Sequence, residues 1–166
     1  MRSRDVRRML GAALLLWMTV GCTPTAKAIL AVEPASGGGV RVLIAPCPGY
    51  DVQQFSAITA GGAGGLQRWA VSNDAMAGPL ADMELFVVPP GWSADESTLQ
   101  GLQDGEEHVL TVVGAVRGRG LDGKVRFRPD RVAALKPGQV LVSDDGETKA
   151  ISRSQFMKAD SARCEP

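Results

Sequence analysis

The chain has 166 residues, with 18 Lys plus Arg against 18 Asp plus Glu, one His and three Cys. Zero net charge excludes the basic character of a nucleic-acid-binding domain, and removing the first 21 residues leaves the remainder slightly acidic, at −3. What remains is long enough for a single domain with its own core.

The first eight residues, MRSRDVRR, carry four arginines and one aspartate, and the next thirteen, Met9 to Gly21, carry no charge. A membrane-spanning helix needs about 20 apolar residues. This shorter run ends in small residues and turn formers, so it reads as a secretory signal, with residues 1–21 removed. The cleavage region Thr19-Val20-Gly21-Cys22 resembles the bacterial lipobox, with Thr19 where leucine is usual. The resemblance implies a lipidated Cys22 as the first residue of the mature chain. It also implies anchoring to the extracytoplasmic face of the cell membrane, with the membrane as a partner through that lipid. Each buried methylene contributes about 0.8 kcal/mol; one acyl chain binds marginally and two hold a protein on a bilayer.

With Cys22 so occupied, Cys47 and Cys164 are the pair left in an oxidising compartment, and a disulfide between them is expected. Closing a loop of nearly the whole domain restricts the unfolded chain by about 4 to 5 kcal/mol in the chain-entropy model.

Residues 22–39 are rich in Thr, Pro, Ala and Gly and read as a spacer, reaching roughly 20 to 25 Å if flexible. Ile29 to Val32, the apolar stretch within it, reads either as part of that spacer or as an added strand. The domain is placed at residues 40–166. From Val40 the apolar period is two, giving strands at 40–45, 66–71, 84–88, 109–116, 124–128 and 139–142, with weaker ones at 55–59 and 148–152. Pro and Gly clusters separate them, and only 130–136 suggests a turn of helix. Short strands without long helices predict an all-β fold, an antiparallel β-sandwich of immunoglobulin-like type.

The motifs favour no catalysis. Ala60 to Gly65, AGGAGG, lacks the Gly-Lys-Ser/Thr of a phosphate loop and reads as a hairpin loop. There is no Gly-x-Ser-x-Gly elbow, and His108, in the charged stretch DGEEH, reads as a solvated turn residue. Asp104, Glu106, Glu107, Asp144, Asp145 and Glu147 sit in turn-like contexts, where solvation accounts for them; a glycosidase-like pair is the alternative. Trp69 reads as a strand residue facing the core. Trp92, after Pro89-Pro90-Gly91, either packs over the sandwich end or is a partner contact. The hairpin around KVRFR places Lys124, Arg126 and Arg128 on one outward face, with Arg117 and Arg119 in the adjacent turn. These five cations are either an edge strand's protection against aggregation or a surface for anionic headgroups or envelope phosphates. Two distant cysteines and one histidine make no metal site, and no cofactor is expected.

VLIAPCPGYDV, the PPGW turn and VRFRPDRVAALKPGQVLVS, together with the lipobox-like start, resemble small lipoproteins of actinobacteria. The resemblance implies an envelope location and carries a residue role only at Cys22. The function expected is non-enzymatic: a lipid-anchored envelope protein with a binding or structural role, its partner an envelope protein or polymer. The alternatives are a wall-modifying hydrolase or transferase using the acidic turns, and a carrier of an apolar ligand.

Overall fold

The structure is a computed structural model and describes residues 28–59, 65–74, 78–144, 146–158 and 160–165. The signal expected at residues 1–21 and Cys22 lie outside the described residues, as does most of the AGGAGG stretch. The strands are β1 (Leu30–Pro34), β2 (Val40–Ile44), β3 (Tyr50–Thr59), β4 (Gln67–Ser72), β5 (Asp82–Glu84), β6 (Ser93–Ser97), β7 (His108–Val116), β8 (Arg119–Phe127), β9 (Gln139–Asp144) and β10 (Glu147–Ser152). Two short helices, α1 (Pro129–Ala133) and α2 (Arg153–Phe156), and a 3-10 turn at Ser161–Cys164 complete the described elements.

The strands form two antiparallel five-stranded sheets, ordered β10-β9-β1-β2-β5 and β6-β4-β3-β7-β8. This is the all-β sandwich that the period-two pattern predicts. β1 is set inside its sheet, between β2 and β9. Strict alternation in β7 and β8 turns Leu110, Val112, Val116, Leu121, Val125 and Phe127 inward, all buried. In β3 the alternation breaks: Tyr50 and Val52 are buried, then Phe55, Ala57 and Thr59. A bulge between Val52 and Gln54 absorbs the extra residue, so both halves of the strand keep their apolar side inward.

Ile29 to Val32, left open between spacer and strand, belongs to the sheet. Leu30 to Pro34 pair with Val40 to Ile44 on one side, and Ala31 and Val32 with Val142 and Leu141 on the other. Ile29 itself is fully buried. A Cβ at Gly123 of β8 would collide with the Ile29 side chain, so glycine there allows the first buried residue to seat against β8. The later part of the spacer expected over 22–39 is therefore part of the domain from Ile29 onward.

The strand expected at 84–88 is displaced to 82–84. Phe86 adopts a positive φ of 68° in the turn that follows, and its ring meets Trp69 edge-on at 5.7 Å. Trp69 also meets Phe55 at 6.4 Å, an aromatic chain inside the sandwich. β6, of sequence SADES, is an edge strand with no apolar alternation to announce it.

The expected disulfide is present, joining Cys47, just after β2, to Cys164 across a separation of 117 residues. It holds the C-terminal segment against the first sheet. Register places Ala31, Leu43 and Val142 on one face of that sheet, opposite the side turned to the core by Leu30 and Val32, yet all three are buried. α2 packs on β9 and β10 and brings Phe156, 1% exposed, into the same apolar cluster. Arg163 closes this cover, donating to the Phe156 carbonyl at 2.8 Å with its guanidinium 5.3 Å from the ring centroid.

Candidate functional site

The five cations of the β7–β8 hairpin do not form one patch. β8 spans nine residues, about 30 Å at the usual rise, with Arg117 and Arg119 at its start and Arg126 and Arg128 at its end. Arg126 pairs with Glu107 at 3.2 Å and Arg128 with Asp130 at 3.2 Å, each in largely exposed pairs of small energetic value. Arg117, Arg119 and Lys124 make no ion pair with any of the described residues. β8 is an edge strand, as one of the two readings required, but charge is not its only protection. The Arg126 N–H donates to the Ser143 hydroxyl at 2.8 Å, and the Thr148 hydroxyl donates to the Arg126 carbonyl at 3.2 Å. Side chains of the other sheet thus satisfy backbone groups along part of this edge.

Trp92 is corrected as a partner contact. Its backbone N–H donates to the Pro89 carbonyl at 3.0 Å, with Gly91 at φ 79°, a type II turn dictated by Pro-Pro-Gly. The turn folds the indole inward, leaving it 8% exposed.

His108 is corrected too, for it is fully buried at the start of β7. The Gln103 N–H donates to Nε2 at 3.2 Å, which makes Nε2 an acceptor and leaves Nδ1 to donate to the Glu106 carbonyl at 3.2 Å. The imidazole stacks on Phe127, with centroids 5.6 Å apart. Burial holds its pKa below the usual value, partly offset by the Glu106 carbonyl and carboxylate. This is a neutral structural histidine that pins the loop preceding β7. The Gln103 side chain adds a second tie, donating to Gln67 at 2.6 Å.

The acidic residues divide between that loop and the β9–β10 turn. Asp144 is engaged by Lys149 at 2.7 Å and Glu107 by Arg126. Asp145 lies outside the described residues. Among the described residues, no group of three or more His, Cys, Asp or Glu is placed to hold a metal.

Two grooves open at the end of the sandwich that carries the β1–β2 turn, and they share Pro34. The first, of about 550 Å³, lies between Gly38-Gly39, Leu102 to Gly105 and α1, with Asp104 and Asp130 in a mostly apolar wall. The second, of about 500 Å³, is lined by Glu33, Arg41, Lys136 to Gln139 and Arg153. Its residues come from both ends of the chain. The sequence signal available was Arg41, a lone charge inside VRVLIA; nothing local connects it to Arg153. No helix among the described residues is long and apolar enough to cross a membrane. No protein-family model, no curated protein and no solved structure matches the chain.

Proposed function

We propose that this chain is a lipid-anchored cell-envelope protein, with lipid on Cys22 and a non-enzymatic sandwich domain that binds an envelope component. The observation that carries the reading is the course of β1. It starts beside Ile29, buried against β8, and ends at Pro34, on the rim of both grooves. An anchor at Cys22 would therefore hold the domain by one end of β1 and leave the grooves at the other. Six residues, 23–28, would separate the lipidated residue from Ile29. Seven Cα steps span at most about 25 Å, and a flexible segment of that length averages roughly 15 Å. The domain then sits close to the headgroups rather than on a long stalk. The Cys47–Cys164 bond supports an exported location, since such bonds persist in oxidising compartments.

The test is fractionation of cells expressing the chain and its Cys22→Ala variant. The reading expects the unaltered chain in the membrane fraction, extractable by detergent and not by salt, and the variant in the soluble or secreted fraction. A variant that stays with the membrane through high-salt washing sinks the lipid anchor.

A further inference from the structure

The second groove combines features that the fold alone does not require. Glu33 and Arg41 are cross-strand partners on β1 and β2, and Arg153 reaches the same carboxylate from α2, its Nε 3.1 Å from Oε2. Arg41 makes no ion pair with any described residue, and neither does Lys136. Three cations and one carboxylate therefore line one concavity, leaving a surplus of two positive charges. Arg41 also stands across from Glu84 on β5, yet it forms an ion pair with neither Glu33 nor Glu84, so two guanidiniums line the groove and an anion placed between them relieves the repulsion of like charges.

The wall carrying Lys136 is fixed in advance. Lys136 to Gln139 form a turn with Pro137 followed by Gly138 at φ 79°, closed by Gln139 N–H donating to the Lys136 carbonyl at 3.0 Å. The Lys136 N–H donates to the Gln139 side chain at 3.0 Å. The Arg153 N–H donates to the Gly138 carbonyl at 2.8 Å, joining the turn to the strand of chain that presents the guanidinium. That bond fixes where Arg153 enters the groove, while Glu33 occupies one edge of its guanidinium and competes there with any other anion.

We propose that this groove is an oxyanion-binding site, taking a phosphate or carboxylate group, with Arg41 and Arg153 as its forked donors and Lys136 as a point charge. The proposal deepens the binding part of the function proposed above and relies on it only for an envelope source of the anion. The site itself does not depend on the lipid.

The experiment uses the full-length Cys22→Ala chain with its disulfide intact, titrated by NMR with inorganic phosphate, acetate and a glycerol-phosphate polymer. The expected result is saturable binding to at least one of them that weakens with added salt. Arg41→Gln should lower affinity at least tenfold, about 1.4 kcal/mol. Lys124→Gln, on the outer face of β8, should leave it unchanged. Glu33→Gln should tighten binding, because it removes the competing carboxylate; a merely structural ion pair would not give that sign. Preference for the polymer over inorganic phosphate identifies an envelope polymer as the source, and equal affinity identifies the free anion. No saturation with any of the three, or equal losses in Arg41→Gln and Lys124→Gln, would overturn the site. Because the probe chain has no lipid, these outcomes are independent of whether Cys22 anchors the protein.

Discussion

His108 shows how a single side chain departs from what its neighbours in sequence announce. Asp-Gly-Glu-Glu is turn chemistry, and the structure does place a turn there, but the next residue already begins β7 and faces the core. A buried polar ring is tolerated because both of its nitrogens are satisfied by the backbone of that same turn. The consequence is a defined pH dependence. The folded state holds the imidazole neutral with a lowered pKa, while the unfolded chain protonates near 6.5, so the unfolded state binds more protons as pH falls. Stability is therefore complete above about pH 6.5 and declines below it, continuing until the lowered folded-state pKa is passed. The chain contains only one histidine, so its imidazole resonance can be followed without overlap. It should remain in the neutral form at pH 6.5, and urea midpoints should fall between pH 7.5 and 5. A midpoint titration at 6.5 or above would contradict the assigned hydrogen bonding. Trp92 teaches a similar lesson. The Pro-Pro-Gly turn is legible, but which way the turn delivers the indole is decided by the sheets it joins.

At the level of elements, legibility follows alternation. β7 and β8 read clearly because inward and outward residues differ in polarity, whereas β3 is half hidden by its bulge, and β6 by holding no apolar residue larger than Ala94. The apolar run at 84–88 misleads for another reason. Leu85 is buried, but Val87 and Val88 are exposed beyond a turn made by Phe86 at positive φ, so hydrophobicity there does not mark a strand. β1 is decisive. Once it is inserted between β2 and β9, residues 41 and 153 line one groove, which no sequence spacing reveals. The disulfide was legible by elimination, and its position adds an energetic claim. It holds the cover formed by α2 and the 3-10 turn over Ala31, Leu43 and Val142. Replacing both Cys47 and Cys164 with serine should lower stability by roughly 2 to 5 kcal/mol, read as a reduced urea midpoint. Hydrogen exchange should show the C-terminal segment losing protection first. A variant with unchanged midpoint and protection would show that the segment is held by Phe156 and Arg163 alone.

At the scale of the whole molecule, both grooves lie at the end of β1 remote from Ile29. On the function proposed above, a lipid on Cys22 would hold the sandwich by the Ile29 end of β1 and leave the two grooves at the other end, facing away from the anchor. The fold and the disulfide stand on the structure, and the grooves supply a place for binding; the anchor is the link on which the cellular role depends. The most direct measurement is the intact mass, with tandem fragmentation, of the chain extracted from membranes of cells that process lipoproteins. The expected species is a polypeptide of residues 22–166, oxidised at Cys47 and Cys164, carrying a diacylglyceryl mass on its N-terminal cysteine. A chain that begins at any other residue, or that begins at Cys22 without lipid, would contradict it.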